Sequence, residues 1–190
     1  GEDGNELQGD LQQMMPAATE IDRPALPAAF AKWFAARNWR PHPHQLEMIR
    51  AAKDGADALL IAPTGGGKTL AGFLPSLMDI AENGAAGLHT LYVSPLKALA
   101  VDVERNLTIP VAEMGLPIRI ETRTGDTPQH KRQRQRFDPP DMLLTTPESL
   151  ALLLSYTDSH RYFRHLRTVI VDEIHAMADN CLLYTSPSPR

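Results

Sequence analysis

The chain has 190 residues, 43% of them hydrophobic, and a formal charge of -4, which suits a globular domain of ordinary size rather than a membrane protein. It has no apolar run near the roughly 18 residues that cross a bilayer and no basic-then-apolar leader, so a cytoplasmic protein with no membrane partner is expected. The only cysteine, Cys181, excludes an intramolecular disulfide and a thiolate metal cage.

The acidity belongs to the front of the chain. Glu2, Asp3, Glu6, Asp10, Glu20 and Asp22 precede Pro24 with Arg23 as their only basic neighbour, while residues 28–180 are balanced in charge. Residues 1–27 are rich in Gln, Gly and Pro with little apolar periodicity, and read as a disordered leader. Gly1 in place of Met points to an incomplete front. Residues 28–180 then form one α/β domain, and residues 181–190 carry no pattern.

From Ala28 the sequence alternates helical and strand-like runs. Phe30, Trp33 and Phe34 share one face of a first helix that stops at Asn38, and a second helix runs from near His44 to Gly55. "DALLIAP" (57–63) reads as a short buried strand, followed by glycines and the helix "KTLAGFLPSLMDIAENG", in which Pro75 predicts a kink or a widened turn. "LHTLYVSP", "IRIETRTG", "DMLLTTP" and "RTVIVDE" are further strands. The first three lead into helices at "LKALAVDVERNL", "TPQHKRQRQRF" and "ESLALLLSY". This alternation implies βαβ units and a mainly parallel sheet flanked by helices. Ligands of such sheets gather beyond the carboxyl ends of the strands, where the polar clusters of this sequence fall.

Two of those clusters carry chemistry. "APTGGGKT" (Ala62 to Thr69) meets the phosphate-loop pattern from Gly67 onward, with Ala62 in place of its first glycine. Thr64, Gly65, Gly66 and Gly67 let backbone N–H groups converge on an anion, Lys68 reaches the β- and γ-phosphates, and Thr69 offers a hydroxyl to Mg²⁺. "VIVDEIH" supplies the partner, with Asp172 for the metal and Glu173 to orient and deprotonate a water.

Together with Asp172-Glu173-Ile174-His175, the loop resembles motifs I and II of the superfamily-two helicases in their DExH form. "SPLKALA", "TGD" and "TTPESL" are similar, in order, to that group's strand-contacting motifs, and "WRPHPHQ" resembles its adenine-recognising Q motif. The wording is closest to the large-helicase-related (Lhr-like) group and its DNA-ligase-associated branch, over residues 28–180. The resemblance implies the first of two RecA-like phosphate-loop domains in a DNA-repair helicase that uses ATP or dATP with Mg²⁺ on single-stranded DNA. It assigns Gln45 to the adenine edge, His175 to coupling, and Ser94, Lys97, Thr124 and Thr146 to strand phosphates. It also implies a second RecA-like domain, with a DNA ligase and a nuclease as partners. The alternatives are an RNA or RNA–DNA hybrid helicase, and a non-catalytic nucleotide switch.

Two stretches fall outside that scheme. The basic run "HKRQRQRF" (His130 to Phe137) reads as a solvated helix face rather than a phosphate rail. Cys181 to Arg190 resembles, codon by codon, a translated transposase sequencing adaptor. The domain is therefore expected to be truncated after Asn180, and to be inactive by itself.

Overall fold

A computed structural model describes residues 25–61 and 67–174. Helix α1 (Ala28–Ala36) buries Phe30, Trp33 and Phe34, as the spacing predicts. It ends where Asn38 takes a left-handed φ of 53°, which lets the amides of Asn38 and Trp39 reach back to Ala35 and Phe34. Helix α2 (Pro43–Lys53) opens on a proline, whose missing N–H costs nothing at that position, and stops before Gly55 at φ 66°. Helix α3 (Lys68–Asn83) packs against α2 and runs as one element through Pro75.

Among the described residues four strands follow, β1 (Thr90–Val93), β2 (Ile120–Arg123), β3 (Met142–Thr145) and β4 (Thr168–Val171), in the spatial order β2-β3-β1-β4, all parallel. Helices α4 (Lys97–Glu113), α5 (Gln129–Phe137), α6 (Pro147–Leu154) and the single turn α7 (Ser159–Tyr162) connect them. The alternation of side chains along each strand divides the core in two. Tyr92, Met142 and Leu144 face α1 to α4, packing with Phe30, Phe73, Leu77, Val103 and Leu107. Leu91, Val93 and Leu143 face the other way, against Leu153 of α6 and Tyr162 of α7.

Two expectations change. The predicted end of α4 at Leu107 is too early, because the buried stripe Ala100, Val103, Leu107 continues to Val111 and carries the helix through Pro110 to Glu113. The predicted strand at 57–63 is not one over its described residues: 57–61 pair with no strand, and Leu59 and Ile61 are 74% and 86% exposed. An apolar run becomes a strand only beside an edge that completes its hydrogen bonds. Among the described residues β4 pairs with β1 alone, and residues 56–60 line a cavity of about 550 Å³ together with β4.

Candidate functional site

The parallel register places the candidate residues in one row. Arg123, Thr145, Val93 and Val171 are aligned across the four strands. The next residue on each chain is therefore Thr124, Thr146, Ser94 and Asp172, so three of the four expected phosphate contacts and the expected metal ligand share one edge of the sheet. The helices that follow β1, β2 and β3 start at this same edge, and their partly positive N-termini collect there.

At one end of the row, Lys68, Thr69, Asp172 and Glu173 line the same 550 Å³ cavity. Lys68 and Thr69 form the first turn of α3, behind Gly67 at φ 70°. The amide of Asp172 still reaches Val93 O at 3.0 Å, which extends the β1–β4 ladder by one residue and fixes the carboxylate at its end. Oδ1 of Asp172 accepts the Glu173 amide at 2.9 Å and Oδ2 accepts the Tyr92 hydroxyl at 3.0 Å. Glu173 has a left-handed φ of 52°, a conformation uncommon for a non-glycine residue, which turns the chain sharply after the strand. Burial, reinforced by the Asp172 carboxylate, pushes the Tyr92 phenol well above its ordinary value, so it remains a neutral donor.

Gln45 is 2% exposed and sits against the loop. Its Nε2 donates to Gly67 O at 3.2 Å, and its Oε1 accepts the His42 amide at 2.8 Å. A Cβ on Gly67 would lie 2.8 Å from Gln45 Nε2 and 3.2 Å from His42 Cδ2, so glycine is needed there for space as well as for φ. The carboxamide expected at an adenine edge is thus built into the support of the phosphate loop. Thr64, Gly65, Gly66 and His175 lie outside the described residues.

The other end of the row is a set of tight turns. Ser94, Thr124 and Thr146 are 0%, 4% and 2% exposed. Ser94 Oγ accepts the Leu96 amide at 3.3 Å, and Thr124 Oγ1 accepts the Asp126 amide at 3.2 Å. These hydroxyls shape the turns rather than face solvent. Of the expected phosphate contacts only Lys97 is exposed, its Nζ 3.2 Å from Asp126 Oδ1 and packed over Gly125. Beneath Thr124, Arg123 is 2% exposed and donates from Nη1 to Arg132 O at 2.7 Å; burial pulls its pKa below the usual value.

Helix α5 carries the basic run, and two of its arginines pair within the domain. Arg134 donates to Glu121 at 2.7 Å and Arg136 to Asp158 at 2.7 Å. Sequence reasoning missed Tyr92. Its one signal is a polar-tipped side chain in an otherwise apolar strand, "TLYV", and nothing local reveals that the tip meets Asp172.

The profile described as DEAD/DEAH box helicase matches residues 42–184. The chain belongs to the DEAD/DEAH box helicase family. Within it this helicase domain is Lhr-like and has the RecA-like phosphate-loop fold. It is 48% identical over 160 residues to the Lhr helicase/probable uracil glycosylase of Mycolicibacterium smegmatis, an alignment covering 77% of this chain and 11% of that protein. It is 38% identical over 164 residues to the ATP-dependent helicase Lhr-Core protein 2 of Thermococcus barophilus, covering 78% of this chain and 19% of that one. The solved structure of Mycobacterium smegmatis helicase Lhr bound to ssDNA and AMP-PNP matches with a TM-score of 0.73 at 45% identity, over 80% of this chain and 21% of the other. The helicase domain thus spans 11 to 19% of these curated relatives. No helix among its described residues is long and apolar enough to cross a membrane.

Proposed function

We propose that this chain is the ATP-binding half of an ATP-dependent DNA helicase or translocase that acts on single-stranded DNA in DNA repair. The observation that carries the reading is the single sheet edge on which Lys68, Thr69, Asp172 and Glu173 share a cavity, while Ser94, Thr124 and Thr146 continue the same row. A nucleotide at one end of the row and a strand at the other would be joined by four short parallel strands. The likeness to a relative solved with ssDNA and AMP-PNP supports DNA as the strand.

In this reading Lys68 neutralises the β- and γ-phosphates, and Gln45 holds the loop's last glycine in place beside the adenine site. Glu173 orients and deprotonates the attacking water. Thr69 and Asp172 fit a Mg²⁺ ion, because both offer oxygen donors to one cavity and Mg²⁺ retains several waters around one or two protein ligands. The ion would add Lewis-acid stabilisation of the phosphate charge. The buried turn hydroxyls leave Lys97, backbone amides and helix N-termini as the groups that meet strand phosphates, a sequence-independent grip. His175 couples the two ends.

A second RecA-like domain of the parent supplies the missing half of the cleft, with a ligase and a nuclease as partners. Placement in the ligase-associated branch rests on motif wording. The adaptor reading of residues 181–190 rests on the codon-by-codon correspondence, although the family match runs four residues into that segment.

The test is a titration with a fluorescent ATP analogue and Mg²⁺. Lys68→Ala should abolish saturable binding. Glu173→Gln, nearly isosteric but unable to take a proton, should keep binding in this chain and suppress turnover in the parent. Equal loss of affinity in both variants contradicts the assignment.

A further inference from the structure

Tyr92 lies in the middle of β1, 1% exposed, and belongs to neither motif that defines the ATP site. Its register partner on the neighbouring strand is Ile170. Asp172 is two residues further along, hence on the same face of the sheet and about 7 Å up the strand. A tyrosine leaning along the strand spans that distance, and its hydroxyl donates to Asp172 Oδ2 at 3.0 Å. The ring packs on Phe73 of α3 with centroids 5.4 Å apart. One side chain thus connects the helix that begins with Lys68 and Thr69 to the carboxylate that faces them.

The second oxygen of Asp172 is held by the Glu173 amide at 2.9 Å. One donor on each oxygen restrains both the rotamer and the plane of the carboxylate. Asp172 also lines the cavity shared with Thr69, and each of its oxygens keeps acceptor capacity beyond its one donor. Donors that hydrogen-bond a ligating carboxylate in this way orient it before the metal arrives.

We infer that Tyr92 is a positioning residue of the ATP site, whose hydroxyl fixes the Asp172 carboxylate for a divalent metal–nucleotide complex. The inference rests on the assignment of Asp172 to the metal. It separates Tyr92 from an ordinary core tyrosine, whose hydroxyl would matter to stability alone.

The experiment uses the 190-residue chain with Mn²⁺ as the probe, read by electron paramagnetic resonance and by the metal dependence of fluorescent ATP-analogue binding. Tyr92→Phe keeps the ring on Phe73 and removes only the hydroxyl. It should weaken Mn²⁺ affinity in the nucleotide complex by about tenfold while leaving metal-free nucleotide affinity unchanged. Phe73→Leu disturbs the packing but not the hydroxyl, and should lower the melting temperature with no change in metal dependence. Asp172→Asn should weaken the metal at least as much as Tyr92→Phe. If Asp172→Asn weakens metal binding and Tyr92→Phe does not, the tyrosine is structural and the inference falls. An equal metal defect in Phe73→Leu would also overturn it, by tracing the effect to packing. If Asp172→Asn leaves the metal dependence intact, the assignment of Asp172 itself fails.

Discussion

At Gly67 two constraints coincide. Its φ of 70° is unfavourable for any residue with a Cβ, and that Cβ would collide with the Gln45 amide at 2.8 Å. Gly67→Ala should therefore destabilise the domain by about 1–3 kcal/mol and abolish nucleotide binding, whereas Gly55→Ala, with the same hand of backbone but open space around it, should lose stability alone. Thermal melts paired with nucleotide titrations separate the two. At the foot of the sheet His89, 3% exposed, bridges Thr90 Oγ1 at 2.8 Å and Asp79 Oδ2 at 2.7 Å. The hydrogen bond to His89 is the main cause that holds the Asp79 carboxyl below its ordinary value of 3.8. A lowered acid stabilises the fold above its unfolded pKa and loses that contribution as pH falls through the folded one. Melting temperature should thus decline below about pH 4, and less steeply in Asp79→Asn. The difference will be modest, since the Asp79 side chain is 37% exposed and partly screened.

Among the elements, α5 is the one whose stability is least apparent from its composition. Its sequence, QHKRQRQRF, offers no apolar stripe, and its last residue, Phe137, is 73% exposed. What anchors it is Gln135, fully buried, with Nε2 donating to Thr122 O at 3.2 Å and Glu121 Oε2 at 3.0 Å. Gln135→Ala should cost about 1–3 kcal/mol in denaturant unfolding because it removes two hydrogen bonds made by a fully buried side chain, while the exposed neighbour Gln133→Ala should stay within about 0.5 kcal/mol. The contrast with the rest of the chain explains what a sequence reveals. Strands β1 to β4 and helices α1 and α3 are legible because their periodicity records which face is buried. The phosphate loop and the acidic pair are legible because their chemistry needs fixed residue types at fixed spacing. Gln135, Arg123 and Tyr92 are not, because each is defined by a partner remote in sequence. The segment 57–61 has strand composition, but whether it pairs is decided by what lies beside it.

On the proposed reading, the ATP site lies in a cleft that a second domain of the parent completes. Charge stabilisation by an arginine from a second domain is worth on the order of 10³ to 10⁵ in rate for enzymes of this chemistry. The 190-residue chain should therefore bind Mg²⁺-ATP weakly, hydrolyse it near background and unwind nothing, with or without Cys181 to Arg190. Turnover assays of both forms in the presence of single-stranded DNA check this, and robust stimulation of either would contradict it.

The bare flank of β4 governs how the isolated domain behaves in solution. Val169 and Val171 are 55% and 43% exposed on a strand whose outer hydrogen-bonding row has no strand partner among the described residues. Such an edge is a template for a neighbouring molecule, and proteins that must remain monomeric blunt theirs with charge. Sedimentation of the purified chain should show self-association that grows with concentration. Val169→Lys with Val171→Lys should suppress it, so that the solubility of the isolated domain is governed by one seam of four residues.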